Sequence, residues 1–220
     1  MKGKLIVFEG VEGCGKTTQL ALLQNWLAEH LPVPVVVTRE PGGTQLGMEL
    51  RQILLEPRQN DPESQAKAKE PIQDRAELLL YAADRAQHIE GFLKPHLSSG
   101  TIVLCDRYVD STIAYQGYGR GLSLSLIEQI NQLATGGLES DLTFWLDVDV
   151  EIGLARAKSR GATNRLEQEN IEFHQRVRQG YRELAQANPT RIFRVDASAS
   201  ESEVAREIRD IFLKMNYLGM

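Results

Sequence analysis

The sequence predicts an α/β fold, a five-stranded parallel sheet with helices on both faces. Three observations predict it. First, five short apolar runs recur, at residues 5–8, 33–37, 101–105, 142–146 and 191–195. None alternates strictly between apolar and polar, so both faces of the sheet should be covered. Second, stretches with helical periodicity separate the runs, at residues 16–30, 45–55, 73–97, 123–135, 150–160, 169–188 and 201–215. Strand–helix alternation implies parallel strands joined by helical crossovers. Third, the chemistry-bearing stretches all follow the carboxyl ends of the runs, where such sheets bind ligands.

Taken in order, the run LIVF leads into Gly10-Val11-Glu12-Gly13-Cys14-Gly15-Lys16-Thr17-Thr18, which fits G-x-x-x-x-G-K-[ST] between a strand and a helix. Its glycines let backbone N–H groups turn inward around phosphate oxygens, and the helix behind adds its dipole. Lys16 would reach the outer phosphates and the Thr17 hydroxyl would hold Mg²⁺. The fold expected is therefore that of a P-loop NTPase. The second run ends in TREPGGT, placing Arg39 before a Pro-Gly-Gly turn. The third ends in DRYVDST. There Asp106 can orient Mg²⁺ or its waters, and the Arg107 fork can bridge two phosphates; a structural ion pair is the alternative. The fourth precedes a segment carrying Arg156, Lys158, Arg160 and Arg165 around Gly161. A solvated helix end is the bland reading of that segment. Its place on the ligand edge favours a mobile lid at about 153–168 that excludes water. The fifth ends in VDAS. The polar stretch 56–70 reads as a surface loop, and no repeat or linker divides the chain, so 1–220 reads as a single domain.

Composition narrows the classes. The 220 residues carry a net charge of −5, with 25% charged and 42% hydrophobic residues. An acidic chain is a poor partner for nucleic acid, which needs clustered Lys and Arg. No window approaches 18 apolar residues, the N-terminus is too weakly apolar for a signal segment, and Cys14 and Cys105 lack metal-ligand spacing. A cytoplasmic enzyme without nucleic acid or membrane partners is the expectation. Neither N-K-x-D nor D-x-x-G occurs, so a GTPase switch is disfavoured. A small-molecule kinase or a regulatory P-loop ATPase remains.

The motifs EGVEGCGKTT, TREPGGT, LLLYAADRAQH, DRYVDSTIAYQG and the RG…NRLEQE segment span residues 8–168. In this order they resemble the thymidylate kinase family, and the VDAS ending also fits. The resemblance implies transfer of the ATP γ-phosphoryl group to dTMP, giving dTDP and ADP, with Mg²⁺, in a homodimer. Other nucleoside or deoxynucleoside (mono)phosphate kinases are the alternative. It assigns Glu12 to the 3′-hydroxyl of dTMP, Arg39 and Arg107 to its phosphate, and Ser111 to the pocket wall. It places Tyr81 against the thymine ring and Arg85 at the base edge, the two lying four apart on one helix face. Gln116, both donor and acceptor, suits the O4/N3 edge of thymine, and Tyr115 would crowd C2′ of a ribonucleotide. Ala197 and Ser198 would touch adenine through their backbone. The phosphate loop lacks an Arg while the lid has three, which resembles the bacterial lid design. Arg160 is the first choice for the transferred group and Arg165 the second. Relatives often carry Asp-Arg where this chain has Asn164-Arg165, and many carry Phe at Tyr81.

Overall fold

A computed structural model describes residues 3–57, 70–161 and 164–215. Most of the predicted surface loop, residues 58–69, and two lid positions, 162 and 163, lie outside the described residues. The sheet has five parallel strands in the order β2-β3-β1-β4-β5. They are β1 (Lys4–Glu9), β2 (Val35–Arg39), β3 (Ile102–Asp106), β4 (Leu142–Asp147) and β5 (Ile192–Asp196). The second strand starts two residues later than expected because Pro34, which cannot donate to a ladder, precedes it.

The missing alternation has a direct cause. Ile6 and Phe8 of β1 pack into one core with Leu104, Phe144 and Leu146, while Leu5 and Val7 pack into a second core with Val103 and Cys105. Each burial is worth about 1.5–3 kcal/mol relative to exposure. Both faces are dry, so both residue parities are apolar.

The helices are α1 (Lys16–His30), α2 (Gln45–Leu55), α3 (Asp74–His88), α4 (Lys94–Ser98), α5 (Val109–Thr112), α6 (Leu124–Thr135), α7 (Val150–Lys158), α8 (Ile171–Ala187) and α9 (Glu201–Lys214). The predicted helix 73–97 is α3 and α4 joined through a π-helical turn at Ile89–Leu93. Side chains cap several starts: Thr44 accepts from Gly47 N, Asn170 from Phe173 N, and Ser200 forms a capping box with Glu203. Helix α1 has no side-chain cap.

One stretch was given no element by the sequence. After β3, α5 continues into a π-helix at Ile113–Gly119. Its β-branched residues and glycines have poor helix propensity. Packing overrides it: Ala114, Tyr115, Gln116 and Gly117 are buried, and a Cβ on Gly119 would meet the Phe173 ring of α8 at 2.7 Å. Residues 153–158 of the expected lid belong to α7, within the helix predicted at 150–160.

Candidate functional site

The central strand β1 delivers the phosphate loop to the sheet's carboxyl edge. Gly13 (φ 71) approaches α7 so closely that a Cβ would lie 1.9 Å from the Gly153 carbonyl. Gly15 (φ 94) occupies the cap position of α1 with no side-chain acceptor. The first amides of α1 therefore face outward, where geometry and dipole favour an anion. Buried Lys16 sends its Nζ to Gly10 O at 3.2 Å and Val11 O at 3.3 Å. Val11 and Cys14 are buried as the loop's inner wall.

In front of the loop lies a cavity of about 230 Å³. Glu12, Lys16, Thr17 and Thr18 line one side of it, and Tyr81, Ser111, Tyr115 and Gln116 another. Five arginines from five places in the chain line it: Arg39 of β2, Arg51 of α2, Arg85 of α3, Arg107 after β3, and Arg160 of the lid. Burial and the nearby Arg39 charge both lower the Arg51 pKa. Like charges held together in a cavity call for an anion.

Arg107 is the centre of the site. It is a non-glycine residue at φ 71, a conformation that costs energy and is held by its surroundings. Its N–H donates to Phe8 O at 3.0 Å. Its guanidinium donates to Glu12 Oε1 at 2.6 Å, Tyr115 Oη at 2.9 Å and Gly10 O at 3.0 Å, and lies over the Tyr115 ring at 4.8 Å. Burial by itself would raise the Glu12 pKa, but Arg107 and Lys16 outweigh it and hold the carboxyl at about 2.

Behind Arg107 sits Glu9, fully buried at the end of β1. It accepts from Tyr108 N at 2.8 Å, Ser111 Oγ at 2.6 Å and Tyr181 Oη at 2.7 Å. These donors favour the carboxylate, yet desolvation dominates and pushes the pKa up to about 7. A carboxyl raised from 4.5 to about 7 prefers its protonated form in the fold by about 3 kcal/mol. That stabilisation is complete below pH 4.5 and is lost as pH rises through 7. Melting temperatures of Glu9→Gln should therefore fall less than the wild type's between those limits. An unchanged slope would refute the raised pKa.

Asp106 Oδ1 is buried with no hydrogen-bond partner. Together with the Thr17 hydroxyl in the same cavity, it offers hard oxygen donors that fit Mg²⁺. Among the described residues no group of three His, Cys, Asp or Glu could hold a metal alone.

Other predicted residues are placed differently from expectation. Arg85 borders the cavity, but it is buried and committed. It donates to Glu40 Oε2 at 2.8 Å, Asn131 Oδ1 at 2.8 Å, Thr112 Oγ1 at 2.9 Å and Tyr108 O at 3.0 Å. Of five N–H groups, four are occupied, so Arg85 braces the wall and has one donor left for a base edge. Arg165 does not line the cavity; it donates to Leu54 O at 2.9 Å and pairs with buried Glu77. Asn164 Oδ1 accepts from Leu166 N at 2.9 Å and Glu167 N at 3.1 Å, the same cap an Asp would make. Ala197 and Ser198 lie outside this cavity, and Ala197 O accepts from Arg156 Nη1 at 3.1 Å.

Sequence reasoning missed Arg51, Glu9, Glu77 and Tyr181. Arg51 reads as an ordinary polar position of α2. Glu77 carried a signal: with Tyr81 and Arg85 it repeats at four-residue spacing on one face of α3.

Comparison with known proteins shows the family. The thymidylate kinase family model matches residues 8–208. A thymidylate kinase of Trichodesmium erythraeum is 59% identical, covering 97% of this chain and 96% of the relative. One of Nostoc punctiforme is 58% identical over the whole of both chains. The crystal structure of thymidylate kinase from Ehrlichia chaffeensis superposes with a TM-score of 0.76 at 35% identity, covering 96% of this chain and 100% of that one. A loop built for phosphate faces a cluster of arginines across one cavity, and relatives match the sequence from end to end: the chain belongs to the thymidylate kinase family.

Proposed function

We propose the following division of labour for the reaction of this family, in which ATP passes its γ-phosphoryl group to dTMP, giving dTDP and ADP. The loop from Gly10 to Thr18 cradles the ATP phosphates with its amides, and Lys16 turns from the loop carbonyls to them. Arg39, Arg51 and Arg107 hold the dTMP phosphate on the opposite wall. Bringing two polyanions together is the main barrier, and the density of guanidinium groups answers it. The single observation that carries this reading is the convergence of five arginines on the cavity in front of the phosphate loop.

When bound, Mg²⁺ would neutralise phosphate charge, with Thr17 and Asp106 as its protein-side donors. Glu12 takes the sugar hydroxyl, Tyr115 closes against the sugar, and Tyr81 and Gln116 face the base, with Ser111 beside them. The half-buried Tyr81 replaces the phenylalanine of many relatives. Backbone at Ala197 and Ser198 meets the adenine.

No general base is required. A phosphate monoester is largely dianionic at neutral pH, its second pKa being near 6. A deoxynucleoside kinase would need a base for a 5′-hydroxyl. Glu12 is the carboxylate nearest that task, and a carboxyl held at about 2 is a poor proton acceptor. ADP release in a coupled assay should depend strictly on dTMP; steady hydrolysis without dTMP would favour a regulatory ATPase.

Two further readings complete the picture. Helix α3 packs beside α2 and α6, and Leu46, Met48, Leu79 and Leu133 on these three helices are exposed. We read them as a homodimer face, and light scattering should return twice the 24.6 kDa chain mass. Cys14 and Cys105 are free and buried, which supports a reducing, cytoplasmic setting. No described helix is long and apolar enough to cross a membrane.

A further inference from the structure

We propose that Glu77 is a positioning residue that sets base discrimination and lid docking together: its buried carboxylate fixes the amide of Gln116 and receives Arg165 of the lid. The inference rests on the assignment of Gln116 to the base.

Glu77 has no exposed surface and lies one helical turn before Tyr81. Its Oε1 accepts from Gln116 Nε2 at 2.7 Å. A carboxylate accepts and never donates, so this contact admits only one orientation of the amide. With Nε2 turned to Glu77, Oε1 of Gln116 is the atom left for the cavity that Gln116 lines. An acceptor there suits a ring N–H, which thymine carries at N3 and cytosine lacks.

The same carboxylate ties down the lid. Its Oε2 pairs with Arg165 Nη2 and accepts from Arg120 Nη2 at 3.2 Å. Arg120 Nη2 in turn pairs with Glu169 Oε1 at 2.7 Å, at the far end of the lid segment. Asp74 Oδ1 adds a third carboxylate, 3.6 Å from Arg120 Nε. Two arginines thus sit among three carboxylates across the seam between α3, the π-helix and the lid. Burial would raise the Glu77 pKa, but Arg165 and Arg120 hold it below the ordinary carboxylate value. An interior ion network costs desolvation and is weak grounds for stability alone. Here its members come from the base wall and from the lid, which gives it a role beyond packing.

The test compares wild type, Glu77→Gln, Gln116→Ala, Gln116→Glu and the exchange E77Q/Q116E. The ratio of kcat/KM for dTMP over dCMP is read for each, and hydrogen exchange is followed at residues 164–169. E77Q retains the shape of the side chain but lets either amide flip. Its ratio should fall about tenfold, the worth of one lost hydrogen bond, and its lid amides should exchange faster. Q116E sets two carboxylates against each other and should lose the ratio; the exchange variant restores one acceptor and one donor and should recover it. That pair keeps the proposal falsifiable if E77Q folds poorly. An unchanged ratio in Q116A would overturn the base assignment itself. A reduced ratio in Q116A with E77Q like wild type, or with the exchange no better than Q116E, would overturn the role of Glu77 alone.

Discussion

Replacing Arg160 by alanine is expected to lower kcat by ~10³–10⁵-fold, by analogy with arginine fingers, while KM for dTMP changes by about threefold or less. The side chain is 61% exposed, and its one ion pair among the described residues, to Glu167, is 3.8 Å long. Such a surface pair contributes about 0–1 kcal/mol, so the variant should fold and melt like the wild type. It nonetheless lines the cavity beside Lys16. A guanidinium that is weakly held and yet reaches the transfer site is placed to meet charge that develops only in the transition state. Steady-state kinetics and a melting curve check the prediction together. A kcat within tenfold of wild type, alongside collapse in Arg165→Ala, would move the catalytic role to the other lid arginine.

The second large effect belongs to Arg107, where activity and stability are entangled. Arg107→Ala should cut kcat/KM for dTMP by more than about 10³-fold, because it deletes a phosphate clamp and unfixes Tyr115. It should also destabilise by about 1–3 kcal/mol, since a half-buried carboxylate loses its nearest counter-charge and keeps only Lys16. The residue concerned is Glu12, whose Oε1 lies 2.6 Å from Arg107 Nη2. The double variant R107A/E12Q separates the effects. Removing the Glu12 charge should recover much of the melting temperature and none of the activity. Recovery of both would mean that Arg107 serves the fold and not the substrate.

Much of this site was legible beforehand because it is local. The phosphate loop is set by consecutive residues whose glycines impose their own backbone, so Gly13 and Gly15 predict what the structure contains. Asp106 ends β3 and Arg107 follows it directly, and the ligand edge of a parallel sheet is fixed by strand direction alone. Legibility ended where the argument required two distant segments. Arg51 looks like any charged residue of an amphipathic helix until α2 is laid beside Arg39. Arg85 was expected at a base edge, but Glu40, Thr112, Asn131 and the Tyr108 carbonyl, all remote in sequence, engage four of its donors. The π-helix after β3 was invisible because its residues disfavour a helix, and only burial against α8 and α6 stabilises it.

By itself, then, the sequence determined the family, the sheet with two dry faces, the phosphate loop and the arginine-rich acceptor side. Each follows from short-range backbone preference or from the parity of apolar residues along a strand. The tertiary structure alone decided which charges are free to act. It tied Arg165 to Glu77 and left Arg160 loose, and it pressed Glu12 down to about 2 while raising Glu9 to about 7. The physical reason is that a charge is governed by desolvation and by partners a few ångströms away, and the partners of these residues lie up to 172 positions distant along the chain.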